Sequence, residues 1–576
     1  RQDEATIIGN EHVEVSFDNI FGRILQIRNK KTQTNLIEEP LLADNFRILA
    51  PMPNWNNPWT LGKMANYCIG RNQHVSEIKT DSNKKYSSVT LRYNRLEFIN
   101  GKLDINIVFT AKVRNDSDEI IFNIEVENNS ENIVEEVWFP VICGFKGVGK
   151  PEETELILPE RRVKNPLANI PETGVSWEHG CISFHRWYPS YGMSMQWIDF
   201  NNGSQGLYIA SYDKSCALTG FHMEKYPEEG LGLYALVNTP KAEGLHVSIN
   251  KFPYLRRGNK WKSAEAIVSP HNGDWHIAAD KYRTWALTWM KFPEYPEWVM
   301  DEFMGWQTIE ACTSAGIIYY KYNDFPRLCN EGKIGGVNTI DIAGWSNPFW
   351  IYPDYEPSQK LGGPDELRKA LMELHKSGGR AVFWGSVNRT NMASDWYKRE
   401  LEKYTVKNSQ GVTLCMHWGH DVLGFSGQTM GYGQGAYVAE VCPWVEKWQN
   451  IIVNQIAKRF TDLGVDGVQM DEICGSHSLC YDPTHGHNVP GEACTIGVLR
   501  LAERLRREAK NRNPEFAMTG EECWDSLMQY VDINFSRRIG EGAHEIYRYT
   551  FPEFITTLAV GFERSLYESF DRLNKA

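Results

Sequence analysis

The stretch Gly464-Val-Asp-Gly-Val-Gln-Met-Asp-Glu472 decides the fold that this sequence predicts. Its apolar residues Val468 and Met470 alternate with Gln469 and Asp471, and a period of two residues is typical of a β-strand. In a parallel barrel the apolar side chains lie under the outer helices, so we expect Gln469 and Asp471 to point inward. Asp471 ends this predicted strand, at the rim where barrel enzymes carry their catalytic groups.

A second stretch of the same kind, Phe516-Ala-Met-Thr-Gly-Glu-Glu522, follows later in the chain. Its apolar residues alternate with Thr519 and Glu521, which we place on the inner face. Two neighbouring strands then each present a carboxylate at the same rim, Asp471 and Glu521. If the register of the second strand shifts by one residue, Glu522 takes the place of Glu521.

The composition is that of a soluble globular protein. The 576 residues are enough for two or three domains, with 42% hydrophobic and 23% charged residues. A net charge of −12 without a run of Lys or Arg argues against a nucleic-acid partner. No apolar run approaches the roughly 18 residues that span a membrane. The chain starts at Arg1 rather than Met, as after removal of a signal peptide or trimming of the sequence, and we expect a periplasmic or secreted bacterial protein.

Residues 1–273 are predicted to form an antiparallel β-sandwich, because segments that alternate apolar and polar residues are separated there by turn-forming residues. The clearest segments are Ser87–Phe98, Leu103–Arg114 and Glu119–Glu127. Residues 274–298 are predicted to form a helical linker that Pro293 and Pro296 end. In residues 299–576, strand and helix patterns alternate, which predicts a TIM-type (β/α) barrel.

Further barrel strands are predicted on either side of a long insertion from Asn388 to Pro443. They are Phe303–Thr308, Val337–Trp345, Arg380–Val387, Val531–Phe535 and Glu545–Thr550. Only 26 residues follow the last of these, too few for a final strand–helix repeat. The barrel is therefore expected to be incomplete as given, or to be completed by residues absent from this sequence.

Two carboxylates on adjacent strands are the groups that cleavage of a glycosidic bond needs. One protonates the leaving oxygen, and the other meets the developing oxocarbenium ion. Adjacent strands lie roughly 4.8 Å apart, which fits the roughly 5–5.5 Å between the carboxyl groups of retaining enzymes. The sequence therefore predicts a glycoside hydrolase that acts with retention.

Both carboxylate stretches resemble motifs of known glycosidases. Gly467-Val-Gln-Met-Asp471 is similar to the fourth-strand motif of α-amylase-type and related retaining α-glycosidases, and Thr519-Gly-Glu521 to their fifth-strand motif. The resemblance implies that Asp471 is the nucleophile and Glu521 the acid/base. Gln469 stands where the α-amylase motif has an inward Arg, and the His-Asp pair of the seventh strand is not evident. Only the two carboxylate roles are therefore carried over.

The whole chain resembles a bacterial glycoside-hydrolase-like family that is known mainly as a domain of unknown function. The residues that carry this resemblance are Ala278–Trp285, Pro296-Glu-Trp298, Cys480-Tyr-Asp-Pro483, His485-Gly-His487 and Arg548–Pro552. The predicted sandwich ahead of the barrel is similar to that of endo-α-N-acetylgalactosaminidases and other α-glycosidases with a mutarotase-like N-terminal domain. These resemblances imply an α-linked oligo- or polysaccharide substrate and a double-displacement mechanism.

Further candidate residues lie around the two carboxylates. Asp532 is an alternate acid, since α-galactosidase-like barrels take theirs from the sixth strand and alternation places Asp532 inward. Asp341 is a structural hydrogen-bonding residue or holds a sugar hydroxyl. Three tryptophans at strand ends either stack on sugar rings or pack in the core. The complete set of predicted substrate-binding residues is Asp341, Trp306, Trp345, Trp384, His417, Asp421, Gln469, His485 and His487.

The loop after Asp471 is rich in metal-ligating residue types, namely Cys474, His477, Cys480, His485, His487 and Cys494. The spacings fit no standard zinc pattern, and none of the twelve cysteines forms a C-x-x-C pair. We therefore predict no metal and no cofactor, with His and Cys contacting ligand or packing. Two alternatives stay open: a non-catalytic carbohydrate-binding protein on a barrel scaffold, and a metal-dependent hydrolase or lyase that uses this loop.

Overall fold

The computed structural model describes residues 5–54, 63–169, 174–175, 182–190, 192–226, 242–313, 316–347, 352–418, 436–474, 478–536 and 543–558. The chain forms two compact units. The first consists of Arg1–Trp289 and Gly540–Phe551, and the second of Met290–Ile539 and Pro552–Ala576. The prediction of a multidomain, β-rich chain is confirmed.

Antiparallel sheets make up most of the first unit. In the described part of the chain, the largest sheet contains Glu77–Ser82, Tyr86–Tyr93, Ile105–Arg114, Ile120–Asn128, Glu155–Leu158, Arg161–Lys164, Trp197–Asn201, Gln205–Tyr212, Asn259–Lys262 and Glu265–Asn272. A second sheet contains Arg47–Leu49, Tyr67–Ile69, Glu136–Phe145, Gly174–Val175, Ile182–Tyr188, Thr219–Tyr226 and Gly244–Lys251. Smaller sheets contain Thr6–Gly9, Val13–Phe17, Ile24–Asn29 and Thr34–Asn35, and Glu97–Phe98 with Gly101–Lys102.

The strands of the first unit follow from their period-two pattern. In Ile105–Arg114, the apolar residues Ile105, Ile107 and Phe109 are buried, and the two residues between them, Asn106 and Val108, are partly exposed. The two larger sheets pack through aromatic side chains, and the rings of Phe145 and Phe200 lie 4.7 Å apart. This core is built from side chains that alternation places on one face of each sheet.

Two helices of the first unit pack on each other, Trp275–Ala286 and Ala543–Thr550. The side chain of Asp274 accepts a hydrogen bond from the backbone N–H of His276 and so caps the first helix. The second helix corrects the sequence prediction, which placed the seventh barrel strand at Glu545–Thr550. Ile546 and Thr550, four residues apart, are both fully buried, as on one face of a helix.

A parallel sheet forms the centre of the second unit, and its strands pair in chain order. In the described residues these strands are Trp306–Glu310, Thr339–Ala343, Arg380–Ser386, Gly467–Asp471, Ala517–Glu521, Ile533–Ser536 and Ile555–Leu558, the first to the seventh strand below. The described α-helices of this unit are Glu297–Asp301, Phe325–Ile334, Gly363–Lys376, Asp395–Arg399, Glu446–Ile452, Arg459–Leu463 and Val498–Arg512. The insertion after the third strand forms an antiparallel sheet of Arg389–Asn391, Cys415–Trp418 and Ala436–Glu440.

The parallel sheet is curled, because side chains from strands far apart in its order pack together. One hydrophobic cluster consists of Trp298, Val299, Phe303, Trp306, Val382, Ala517, Ile533 and Ile555. The first and seventh strands both contribute to it. No backbone pairing between these two strands is present in the described residues, so closure into a TIM-type barrel stays a prediction. No described helix is long and apolar enough to cross a membrane.

Candidate active site

The register of the parallel sheet brings Asp471 and Glu521 to the same level. Gln469 of the fourth strand pairs with Thr519 of the fifth, so the two carboxylates, each two residues further on, end adjacent strands side by side. Both are buried, with 9% of Asp471 and 3% of Glu521 exposed. A Cβ atom at Gly467 would lie 2.7 Å from the carbonyl oxygen of Ala517, so glycine is required for the close approach of these strands.

Both carboxylates lie on the concave face of the sheet. Ala517 belongs to the cluster inside the curl, and residues at intervals of two share a face, which places Glu521 on the inner side. Val382 belongs to the same cluster, and Ser386 lies four residues further along the third strand. Asp471 pairs with Ser386 and therefore also lies on the inner face.

The backbone turns sharply after each carboxylate. Glu472 has φ 55° and Glu522 has φ 51°, in the left-handed region that residues with a Cβ rarely adopt. This turn lets the backbone N–H of Glu472 donate to Oε2 of Glu521 at 2.8 Å. The carboxylate of the fifth strand is thus held by the residue that follows Asp471. Glu522, the alternate acid, turns toward the sixth strand, where its Oε2 accepts from the hydroxyl of Ser536 at 3.0 Å.

A buried arginine lies beside these carboxylates, and the sequence analysis did not identify it. Arg389 is 2% exposed, and its Nε lies 3.1 Å from Oε2 of Glu472. Its Nη1 lies 3.2 Å from Oε2 of Glu440. The side chain of Asn388 donates to the carbonyl oxygen of Glu472 at 2.7 Å. The α-amylase motif has an inward arginine on the fourth strand, where this chain has Gln469. Arg389 instead supplies a cation, next to Glu472, the residue that follows Asp471.

Two further carboxyl groups at this site have raised pKa values. Burial raises the pKa of Glu472 to about 7, with Arg389 opposing the shift and the charge of Asp471 adding to it. Burial and then the charge of Asp471 raise the pKa of Asp341 to about 8, while a hydrogen bond with Thr308 opposes this shift. Asp341 therefore carries a proton at neutral pH and can donate a hydrogen bond. Groups with shifted pKa values in one place are typical of active sites.

We expect Asp341→Asn to stabilise the protein increasingly as the pH rises from 4 to 8. The folded protein keeps the Asp341 proton up to about pH 8, and the unfolded chain releases it near the ordinary value of 3.8. The unfolded state binds fewer protons between these values, so this group lowers the free energy of unfolding by about 1.4 kcal/mol per pH unit. The asparagine variant lacks this loss. Urea unfolding at pH 5 and pH 8 measures the difference.

Asp365→Asn is the matched control for that measurement, because the side chain of Asp365 is fully exposed. Its stability should follow that of the wild-type protein at both pH values. If the free energy of unfolding of Asp341→Asn changes between pH 5 and pH 8 as much as that of the wild-type protein, Asp341 ionises normally in the folded state. It then does not donate a hydrogen bond at the site.

The structure places the three predicted tryptophans differently. Trp306 packs in the hydrophobic cluster with Trp298 and lies at the beginning of the first strand. Trp345 is 1% exposed, and its Nε1 donates to the carbonyl oxygen of Trp384 at 3.0 Å. The ring of Trp345 lies 4.5 Å from that of Phe383. The core-packing alternative therefore fits both rings: Trp345 is buried, and Trp306 is partly buried at the amino end of its strand.

Trp384 lies on the inner face with the candidate carboxylates. It pairs with Gln469, itself buried, and precedes Ser386 by two residues on the third strand. Its ring lies 5.4 Å from that of Tyr352. Burial and the charges of Glu472 and Asp471 raise the pKa of Tyr352, so this phenol stays protonated beside the carboxylates.

The prediction that Asp532 points inward as an alternate acid is wrong. The sixth strand begins at Ile533, so Asp532 lies at the amino end, opposite the rim of Asp471. Asp532 is fully buried between Arg506 at 2.7 Å and Lys510 at 3.2 Å of the helix Val498–Arg512. It accepts a hydrogen bond from the backbone N–H of Met518 at 2.8 Å. These contacts give Asp532 a structural role.

The remaining predicted residues belong to the insertion and to the loop after the fourth strand. His417 is part of the strand Cys415–Trp418, but its side chain is not described, and Asp421 lies outside the described residues. His485 and His487 lie together with Cys480 and with Cys442, which the sequence analysis did not include. The side chains of these four residues place one nitrogen or sulfur atom each within 4.8 Å of the others.

Comparisons with known proteins give the relationship of this chain. The model of the family described as Domain of unknown function (DUF6259) matches residues 261–548, half of the chain. The chain belongs to this family. The DUF6259 match includes both carboxylate strands, Arg389 and the cluster of cysteines and histidines. No curated protein matches the sequence.

Solved structures show the same fold as this DUF6259 protein at low sequence identity. The α-N-acetylgalactosaminidase NagBb from Bifidobacterium bifidum, in complex with GalNAc, has a TM-score of 0.65 at 11% identity, over 92% of this chain and 79% of that chain. Its ligand-free form has a TM-score of 0.63 at 10% identity, over 96% and 85%. A variant of the GH36 α-galactosidase AgaA from Geobacillus stearothermophilus, in complex with 1-deoxygalactonojirimycin, has a TM-score of 0.51 at 9% identity, over 97% and 79%.

Proposed function

We propose that this protein is a glycoside hydrolase that cleaves an α-glycosidic bond in an oligo- or polysaccharide with retention of configuration. The observation that carries the proposal is the pair Asp471 and Glu521, buried side by side at the ends of adjacent parallel strands. The fold shared with an α-N-acetylgalactosaminidase supports the choice of an α-linked sugar. We also propose that the curled parallel sheet belongs to a TIM-type barrel, and that the antiparallel sheets form a sandwich.

In this mechanism Asp471 attacks the anomeric carbon and Glu521 protonates the leaving oxygen. A covalent glycosyl–enzyme intermediate forms on Asp471, and Glu521 then acts as a base that activates water for its hydrolysis. The N–H of Glu472 fixes the orientation of Glu521 through Oε2. The protonated carboxyl of Asp341 supplies a hydrogen-bond donor near Asp471, where it can hold a sugar hydroxyl.

A panel of aryl α- and β-glycosides of galactose, N-acetylgalactosamine and glucose tests the proposed activity. We expect turnover of at least one α-glycoside and none of the β-glycosides, with the Asp471→Asn variant as the blank. The competing function, a non-catalytic carbohydrate-binding protein, is supported if the wild-type protein binds oligosaccharides in calorimetry but cleaves none of these substrates.

We expect the first product released from an α-glycoside to be the α anomer. Asp471 and Glu521 end adjacent strands, and adjacent strands lie roughly 4.8 Å apart. This spacing is close to the roughly 5–5.5 Å between the carboxyl groups of retaining enzymes and leaves little room for the water that an inverting enzyme places between base and sugar. Proton NMR, read before mutarotation equilibrates the anomers, distinguishes the two outcomes. If the β anomer forms first, the enzyme inverts and Asp471 acts as a base.

A further inference from the structure

Four side chains from two separate segments meet in the second unit with the geometry of a metal site. Cys442 follows the strand Ala436–Glu440, whereas Cys480, His485 and His487 belong to the loop after the fourth strand. One potential ligand atom of each lies within 4.8 Å of those of the others. Around a tetrahedral Zn²⁺ with bonds of about 2.3 Å to sulfur and about 2.0–2.1 Å to nitrogen, ligand atoms lie about 3.4–3.8 Å apart. A small inward movement of the side chains brings the four atoms to these distances.

The hydrogen bonds of His485 prepare it as a ligand. Its Nε2 lies 3.0 Å from the carbonyl oxygen of Lys403, which can only accept, so Nε2 carries a proton. In the neutral ring, Nδ1 then has a lone pair, and it lies 3.3 Å from Sγ of Cys480. Metal-ligating histidines commonly donate their second N–H to a backbone carbonyl, which fixes the tautomer and the ring orientation.

His487 provides an independent observation. Its Nε2 is buried and has no hydrogen-bond partner among the described residues. An unsatisfied buried nitrogen costs about 1–3 kcal/mol, so such atoms need an explanation. A metal ion coordinated by the ring removes this cost, either by direct bonding to Nε2 or by moving the ring when Nδ1 is the ligand. The rings of His485 and His487 lie 6.2 Å apart.

We propose that Cys442, Cys480, His485 and His487 bind one Zn²⁺ ion as a structural site. Two sulfur and two nitrogen ligands in a tetrahedral arrangement are typical of zinc. Four protein ligands leave no open position for a water molecule, so the ion stabilises the loop and does not hydrolyse substrate. This excludes the loop as the centre of a metal-dependent hydrolase.

The proposed site connects to the candidate active site through one chain of contacts. The hydroxyl of Ser478, two residues before Cys480, donates to Oε2 of Glu440 at 2.6 Å. Glu440, two residues before Cys442, is also bound to Arg389, and Arg389 is bound to Glu472. The zinc ion therefore joins the segment of Glu440 and Cys442 to the loop of Ser478 and Cys480. Because Glu440 binds Arg389, loss of the ion should make the position of Arg389 beside Glu472 less fixed.

Zinc content is the direct test. The full chain is purified under reducing conditions, supplied with Zn²⁺, freed of excess metal and measured by mass spectrometry of the element. We expect about one Zn²⁺ per chain in the wild-type protein and about none in Cys442→Ser and Cys480→Ser. Cys494→Ser is the matched control, since Cys494 is a buried thiol of the same loop whose Sγ donates to the carbonyl oxygen of Gly491. It should keep its zinc.

Cobalt spectroscopy of the wild-type protein tests the geometry without depending on the folding of any variant. After exchange, Co²⁺ should show the intense visible bands of tetrahedral coordination and a sulfur-to-cobalt charge-transfer band.

Removal of Zn²⁺ by a chelator should lower the Tm, and Zn²⁺ but not Mg²⁺ should restore it. The site does not exist if the wild-type protein binds no zinc, if Cys442→Ser keeps a full equivalent, or if the cobalt bands are octahedral. A Cys442–Cys480 disulfide in protein purified without reductant also overturns the proposal. None of these measurements uses catalytic activity, so they stand apart from the proposed function.

Discussion

Asp471→Asn is expected to abolish turnover of α-glycosides and to leave the fold intact. The amide has the shape of the carboxylate but cannot form the glycosyl–enzyme intermediate, and we expect a loss of about 10³-fold or more, about 4 kcal/mol of transition-state stabilisation. Asp471 is buried on the inner face, level with Glu521 on the next strand. Initial rates on the best aryl α-glycoside measure the loss, and circular dichroism verifies the fold.

Asp466→Asn is the control for this variant, because Asp466 precedes the same strand at its opposite end. Its carboxylate binds His375 at 2.8 Å, Arg380 at 3.3 Å and the backbone N–H of Ala381 at 2.8 Å. We expect this variant to lose stability and to retain kcat while it is folded. Near-normal activity of folded Asp471→Asn removes Asp471 from the mechanism. An equal loss of kcat in both variants shows that the effect is structural.

Asp471→Asn has a second consequence, which links the two carboxyl groups. The charge of Asp471 is one cause of the raised pKa of Asp341. Removing this charge lowers the pKa of Asp341, and burial still keeps it above its ordinary value. The pH dependence of stability that Asp341 causes should therefore be smaller in the Asp471→Asn background. This coupling is present only if the two groups are as close as the structure places them.

Sequence patterns located the strands of Asp471 and Glu521 because the alternation that marks a strand involves only residues close together in the sequence. The alternation around Asp471 and Glu521 predicted strands that the structure bounds at Gly467–Asp471 and Ala517–Glu521. Side-chain period and strand end depend on neighbouring residues alone, so a single sequence contains them. The same reasoning failed at Asp532, because the pattern predicted a strand from Val531 to Phe535 and the strand begins at Ile533.

Partners that come from distant segments could not be predicted in this way. Arg389 reaches Glu472 across 83 residues, and Cys442 joins the His-containing loop from before the fourth strand. The sequence analysis considered Cys474 and Cys494 rather than Cys442, because these two cysteines are nearer in sequence to the histidines. The one available signal was the position of Arg389, three residues beyond the end of the third strand. Barrel enzymes carry their catalytic groups at this rim.

The aromatic residues show a different limit. Trp345 ends a predicted strand and Trp384 lies near the end of the next one, yet Trp345 is core and Trp384 lies on the inner face. Their sequence environments are equivalent, and the difference depends on what the helices leave uncovered. Trp345 lies 5.2 Å from Phe460 of the helix Arg459–Leu463. Only the tertiary structure contains that contact.

Glu521→Gln should slow the hydrolysis of substrates with poor leaving groups by about 10²–10⁴-fold, the usual contribution of acid–base catalysis. Natural glycosides need a proton on the departing oxygen, and the amide cannot donate one at the required strength. A dinitrophenyl glycoside needs no proton, so its first step should proceed and the glycosyl–enzyme intermediate should accumulate. Rates for aryl glycosides of increasing leaving-group pKa measure this dependence. Azide should restore turnover by replacing the water that Glu521 activates.

Glu472 and Glu522 lie next to the candidate carboxylates, so the same measurement on their variants distinguishes Glu521 from other candidate acids. Glu472 has a pKa raised to about 7, which suits an acid, but its Oε2 is bound to Arg389. Glu522 turns toward Ser536 of the sixth strand. We therefore expect Glu472→Gln and Glu522→Gln to lower the rates of all aryl glycosides by a similar factor, without azide rescue. If either variant shows the leaving-group dependence and Glu521→Gln does not, that residue is the acid. In that case the role of Glu521 is to accept the hydrogen bond from the backbone N–H of Glu472. Asp471 and Glu521 are then not the catalytic pair.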